Sequence, residues 1–503
     1  MNRIIYVPLD ERPCNYRFPF QIFNQKNTEI ITCPEHLMGY KKRPAQINQL
    51  NEWLMINTKH AYGLVVALDT LIYGGIVPSR LHNLPLDVLI SRLTILRSLK
   101  KQNPNLIIYG FSLIMRCPEY NSADEEPEYF QNHGKNIHLL GYLSHMKELN
   151  ILSKSDQEKL DNIQIPKEYI DDFSHRRYVN QQINIAALEL VKEEIITFFT
   201  IPQDDSSKYG WTAKDQIKIR EVIKKHKLFK KVFMYPGADE AGCVLLSRMV
   251  CLNNHLQPKV YIKYPGPTCS KIIPSIEDRY LDTMVKYHII ACGGIVVDAL
   301  KECDAVLLIN APADYMRSSF NKEEPGRGLE VQRNLVEAIE FIEYVGQKQK
   351  AIIIGDITYG NGSDLEIYHY LSLKKMLFKL AGFGGWNTAS NSIGQAIAMG
   401  FSCLLNGFTK QHLAFLISRY VEDIGYCGYV RQTIMKDFLP RHPQLNYFDV
   451  KSKAGIVATE VKDQLKLFVQ TKMPDLWPHI IIKKVELPWK RMYEIDLEVE
   501  YRP

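Results

Sequence analysis

Five short apolar runs in this chain each lead into a carboxylate: 4–9 into Asp10, 64–68 into Asp69, 198–203 into Asp204-Asp205, 232–238 into Asp239-Glu240, and 352–355 into Asp356. Carboxyl groups that share a confined space can divide acid and base work. Burial and mutual repulsion hold a proton on one while its neighbour stays ionised. Glycoside hydrolysis uses such pairs. Asp204 and Asp205 are therefore the candidate catalytic residues. The next helix has its own start signal in Thr212-Ala213-Lys214-Asp215, close to a capping box, so neither acid is needed as its cap. The bland alternative is a pair of solvated acids in an Asx turn.

The other strand-end residues suit binding. Asp10 and Arg12 lie in Pro8-Leu9-Asp10-Glu11-Arg12-Pro13; Asp69 precedes Arg80, and Arg116 closes another strand-like run. Acids and arginines together form either a structural ion-pair network or a hydrogen-bonding surface for a polyhydroxylated or anionic ligand. Asp239-Glu240 stands before an apparent helix, where acids are stabilising in their own right, so cap and site remain open for that pair. The turn Gly355-Asp356-Ile357-Thr358-Tyr359-Gly360-Asn361-Gly362-Ser363-Asp364 lacks the Lys-Ser/Thr of a phosphate loop, and Leu365 stands where a dinucleotide fingerprint needs glycine. Ser363 with Glu366 reads as a capping box, which leaves Asp356 and Asn361 for a pocket. In Gly384-Gly385-Trp386-Asn387-Thr388-Ala389-Ser390-Asn391, Trp386 offers an aromatic face to a sugar, with Asn387 and Asn391 beside it. A core tryptophan is the alternative.

These residues need a scaffold that brings strand ends together. Short runs rich in Val, Ile and aromatics read as strands buried on both faces of a parallel sheet. Further candidates are 106–112, 259–263, 295–297 and 305–310, with helical segments between. The expected fold is α/β: a (β/α)8-like barrel, or alternatively an open doubly wound parallel sheet. In both, ligands bind at the carboxyl ends of the strands. A catalytic domain is expected over 1–400, with a polar, helical insertion near 117–178, followed by a smaller, mainly helical C-terminal domain over 401–503 that ends in a strand.

Composition excludes several classes. Of 503 residues, 62 are basic and 56 acidic, and the net charge of +6 is spread thinly. The densest basic stretch, 224–231, closes a predicted helix, so no nucleic-acid partner is expected. No apolar run is long enough to span a bilayer, and the chain enters a strand without a signal-like segment. The 10 cysteines are scattered, with no C-x-x-C pair. Reduced thiols in a cytoplasm are the expectation. There is no G-x-S-x-G, H-E-x-x-H or H-x-H, which argues against a serine hydrolase or a His-rich zinc site.

Together the segments 8–13, 69–80, 203–205, 236–240, 359–362, 385–391, 419–423 and Pro488-Trp489 resemble a bacterial family catalogued only as a domain of unknown function. That resemblance runs nearly from end to end and carries no settled activity. A looser resemblance, through the adjacent Asp-Asp and the later Trp-Asn, is to β-N-acetylhexosaminidases that use substrate-assisted catalysis. It implies that Asp204 orients the substrate's acetamido group and Asp205 is the general acid/base. The expected function is hydrolysis of a small amino-sugar glycoside or oligosaccharide, with a carbohydrate as partner and no cofactor. Two alternatives stand beside it. One is a hydrolase or lyase dependent on Mg²⁺ or Mn²⁺ held by the strand-end aspartates; the other is a non-catalytic carbohydrate-binding protein.

Overall fold

A computed structural model describes residues 2–25, 28–322 and 326–503. The chain forms two compact units: Met1–Glu11, Glu29–Gly242 and Ile276–Asp278 make the first, while Arg12–Thr28, Cys243–Ser275 and Arg279–Pro503 make the second.

The first unit is built on strands β1 (Asn2–Val7), β2 (Thr28–Thr32), β3 (Gly63–Ala67), β4 (Ile107–Phe111), β5 (Phe198–Gln203) and β6 (Val232–Pro236). Every residue of β3 and β5 is buried, which is why these runs are apolar without alternation. The sheet order is β2-β1-β3-β4-β5-β6, and β1, β3, β4, β5 and β6 run parallel. The chain winds one way from β1 to β2, then returns past β1 to β3. That reversal is the switch point of an open, doubly wound sheet.

The expected closed barrel is therefore corrected. Among the described residues the sheet has two unpaired edges, β2 and β6, and the remaining parallel strands belong to other sheets. Alternating strands and helices look the same in a barrel and in an open sheet; only the pairing order tells them apart, and pairing order is non-local.

The second unit holds β7 (Lys259–Lys263), β8 (Ile295–Val296), β9 (Ala305–Asn310), β10 (Arg317–Ser318), β11 (Ala351–Asp356), β12 (Tyr359–Gly360), β13 (Gly382–Gly384), β14 (Ile480–Glu486) and β15 (Asp496–Tyr501). Its main sheet runs β8-β7-β9-β11-β13, with every pair parallel. Counted within that sheet alone this is again second, first, third, fourth, fifth. The two units thus share one winding order. Short β10 and β12 form a separate two-stranded parallel sheet, and β14 and β15 form an antiparallel pair. Residues 401–503 fall within this unit.

Between β4 and β5 lie the helices Phe130–Glu148, Lys154–Asp161 and Lys167–Lys192. Met115, Cys117, Phe130, Ile137 and Phe173 form a buried cluster there, with Trp211 packed against it. A Cβ on Gly141 would come within 2.2 Å of the Trp211 ring, so glycine allows that close approach. The helix after β5 starts at Trp211, and no side chain caps it. The expected capping box at Thr212 does not form, because Asp215 is held by Arg177 at 2.5 Å. Among the described residues no helix is long and apolar enough to cross a membrane.

Candidate functional site

The carboxyl end of β3 is fixed first. After Leu68 the chain makes one wide, π-helical turn over Asp69–Tyr73, closed by Gly74 (φ 95°) and Gly75 (φ 139°). Only glycine adopts both angles without strain. The Thr70 hydroxyl lies 2.6 Å from the Pro8 carbonyl and 2.8 Å from that of Leu9, tying β3 to the end of β1. This places Asp69 inside the molecule, where its carboxylate accepts the Leu113 backbone N–H at 3.0 Å. Burial pushes the Asp69 carboxyl up to about 7, against the pull of that bond and of Arg80. Asp10, at the end of β1, is also buried.

Arg80, on the short helix that follows, and Arg116, beyond β4, organise the rest. Arg80 reaches Asp204 at 2.7 Å, Glu125 at 2.8 Å and Glu126 at 3.4 Å. Arg116 reaches Glu126 at 2.7 Å, Glu125 at 3.4 Å and Asp205 at 3.5 Å. Successive side chains on a regular strand point to opposite faces. Here β5 has ended at Gln203, and Asp205 takes a left-handed φ of 44°. The two acids therefore reach different arginines, yet both arginines touch the same glutamates. One cluster results.

Four carboxyls face two guanidiniums in this cluster. Full ionisation would leave excess negative charge in a confined place, and that favours retention of a proton. Burial raises the pKa of both Asp204 and Asp205; Arg80 opposes it chiefly at Asp204, and Arg116 chiefly at Asp205. The charge of Asp239, at the end of β6, also acts on Asp204. Glu240 turns back on its own loop, where its carboxylate accepts the Ala238 N–H at 2.9 Å. A Cβ on Gly237 would collide with that carboxylate at 2.0 Å. The helix Ala241–Asn253 begins directly after.

Glu125 and Glu126 are the functional candidates that sequence reasoning passed over. They lie in the polar stretch Asp124-Glu125-Glu126, with no apolar run before them to mark a strand end. The available signal was an acidic triplet a few residues past Arg116.

The remaining predicted residues lie in the second unit, and the structure gives most of them structural partners. Asp356 accepts from Asn310 at 3.0 Å, the Thr358 hydroxyl at 2.6 Å, the Asp364 N–H at 3.0 Å and the Ser363 hydroxyl. It staples its own turn. The helix after that turn is capped by Asp364, not by the expected Ser363, whose hydroxyl is taken by Asp356. The Tyr493 hydroxyl bridges Asn361, at 3.0 Å, and Asn387. Trp386 is 3% exposed and packs edge-on against Phe18, so its ring belongs to the core. Asn391 is buried in the first turn of the helix Ala389–Asn406. Arg12 lies 4.5 Å over the Trp489 ring and 3.6 Å from Glu494. The structure thus brings Asp69, Arg80, Arg116, Asp204, Asp205 and Asp239 into one electrostatic neighbourhood within the first unit, whereas Asp356, Asn361, Trp386, Asn387, Asn391 and Arg12 lie in the second unit.

Among the described residues, no group of three or more His, Cys, Asp or Glu side chains is arranged to hold a metal ion. The cluster's carboxylates face guanidiniums, which already supply counter-charge. No curated protein and no solved structure matches the chain. A family model described as a protein of unknown function (DUF4127) matches residues 4–498, and the chain belongs to that family.

Proposed function

We propose that the protein is a glycoside hydrolase that cleaves a small amino-sugar glycoside by carboxylate acid/base catalysis at the Asp204-Asp205 cluster. The observation that carries this reading is the adjacent pair itself: two acids at one strand end, each against its own arginine, with more carboxyls than cations around them. Asp204, at 2.7 Å from Arg80, is the more tightly held and suits orientation of an acetamido group. Asp205, at 3.5 Å from Arg116 and somewhat more exposed, suits proton transfer. In the proposed reaction Asp205 gives its proton to the leaving oxygen while the acetamido oxygen bonds to the anomeric carbon. Asp205 then takes a proton from the water that opens this intermediate. Arg80 and Arg116 position the pair. Polar groups at the ends of β1, β3 and β6, namely Asp10, Asp69 and Asp239, offer acceptors for sugar hydroxyls.

The test is hydrolysis of aryl β-N-acetylglucosaminides and related aryl glycosides by the purified protein. Asp205→Asn should lower kcat by roughly 10²–10⁴-fold while the thermal transition is unmoved. Undiminished turnover in that variant removes the assignment. Loss of activity on exhaustive chelation would favour the divalent-metal alternative instead. Saturable sugar binding without turnover on any glycoside would favour a binding protein.

A further inference from the structure

The second unit contains a lysine in unusual company. Lys322 follows the short turn Ser319–Asn321, next to β10, which pairs with β12. Its Nζ lies 3.8 Å from the centroid of the Tyr429 ring and 4.7 Å from that of Tyr359. It donates one hydrogen bond, to the Ser363 carbonyl, at 2.9 Å. Among the described residues it forms no ion pair, whereas Lys374, Lys483 and Lys484 in the same unit each contact a carboxylate. A Cβ on Gly428 would stand 3.3 Å from Nζ, so the backbone closes in on another side. Lys322, Tyr359, Asp364 and Tyr429 are all half-buried, so the side chain is neither sealed in the core nor freely hydrated.

Poor hydration disfavours the ammonium. Ring faces return about 0.5–2 kcal/mol to a cation, which does not replace a lost hydration shell. The charged groups around Nζ act in both directions. Asp364 and Asp356 stabilise the cation, Arg431 opposes it, and the Cys427 thiol adds a small stabilising influence; burial outweighs them and brings the Lys322 amine down to about 8. Burial and the nearby Asp364 charge keep the Tyr359 and Tyr429 hydroxyls protonated. The Tyr429 hydroxyl lies 3.4 Å from the Asp364 carboxylate, so a proton donor and a proton acceptor are paired on the ring that the amine faces. An amine that is partly neutral near neutral pH, with acid/base groups close by, is the equipment of imine chemistry.

We propose that Lys322 is a nucleophilic lysine that captures a small aldehyde or ketone as an imine, in a site formed with Tyr359, Asp364 and Tyr429. The neutral amine attacks the carbonyl carbon and the C–N bond forms. The carbonyl oxygen takes a proton, and the amine nitrogen loses one. The resulting carbinolamine then loses water, which breaks the C–O bond and leaves C=N. One carbonyl compound is consumed and one water released; no oxidant or reductant takes part.

The test traps that imine in the intact wild-type protein. Glyceraldehyde and cyanoborohydride, which reduces an imine to a stable amine, are added near pH 7.5, and labelled lysines are mapped by peptide mass spectrometry. An ordinary lysine titrates near 10.4, so Lys322 should be labelled at least about tenfold faster than exposed Lys230 or Lys453, and its advantage should shrink near pH 10. Tyr429→Ala, which opens the clamp to water, should reduce the preference. Lys322→Arg should abolish the label at that peptide alone. Labelling that follows exposure, with Lys322 no faster than surface lysines or unlabelled, overturns the proposal.

Discussion

The carboxyl ends of the two parallel sheets invite comparison, because the sheets share one strand order and both carry an aspartate at a strand end. In the first unit, Asp204 and Asp205 meet two arginines and two further glutamates, and charge is left over. In the second, Asp356 meets an amide, two hydroxyls and two backbone N–H groups, and its bonding capacity is filled by neutral donors. The same topological position thus yields a cluster of shared ion pairs in one sheet and a fastening in the other. Position at a strand end does not separate these outcomes; the identity of the hydrogen-bond partners does. Neutral donors fix a carboxylate in place without offering it a counter-charge to exchange, while arginines shared among several acids leave proton occupancy adjustable.

The sharpest way to break this contrast is to exchange the consequences. Asp205→Asn should remove roughly 10²–10⁴-fold of turnover with stability kept, measured by aryl-glycoside kinetics beside a urea titration. A large loss of stability in that variant would make Asp205 a fastening like Asp356. Next, Arg80→Met should destabilise the protein by about 3–5 kcal/mol, because three carboxyls lose a buried counter-charge. Arg80 is 2% exposed, and denaturant unfolding reads the change directly. A smaller loss of about 1–3 kcal/mol is expected for Asp356→Ala, which takes one of two acceptors from the Asn310 amide and orphans the Asp364 N–H.

The pH dependence of stability sharpens the comparison further. Asp69 holds its proton to about pH 7 when folded, well above an unfolded aspartate. Between those values the folded state binds the extra proton, so stability contributed by this group falls as pH rises from about 4 to about 7. Asp69→Asn should flatten that slope in urea titrations across the window; an unchanged slope would show that Asp69 titrates normally. The smallest effect expected is Ser363→Ala, about 1 kcal/mol, from one of several bonds to Asp356.

Much of this architecture was legible in the residues. The strand limits 259–263 and 305–310 follow from the apolar runs, and the helix behind Asp239-Glu240 begins where the acids and small residues place it. Local periodicity carries such information because burial on both faces of a strand constrains every residue in it. The gathering of Asp69, Asp204 and Asp205 follows from the same rule, since parallel strands end on one side. Sheet closure was not legible, because whether β6 returns to β1 depends on partners far apart in the chain. Glu125 and Glu126 were hidden for a related reason: a loop between a strand and a helical segment delivers them, and loop paths leave no periodic trace. The caps at Thr212 and Ser363 failed because a distant or neighbouring partner, Arg177 by way of Asp215 and Asp356 directly, claimed a group the local motif needed. Trp386 shows the same competition, since the aromatic face that could meet a sugar is taken by the core.

The left-handed backbone at Asp205 carries a consequence of its own. Asparagine, aspartate and glycine tolerate such a conformation, whereas branched or bulky side chains are strained by it. The chain path therefore acts as a filter on heredity at this position: an amide can silence the carboxylate in one step with the loop undisturbed, while a longer acid such as glutamate must first reshape the turn. Drift at residue 205 should run toward loss of the carboxyl more readily than toward a longer acid.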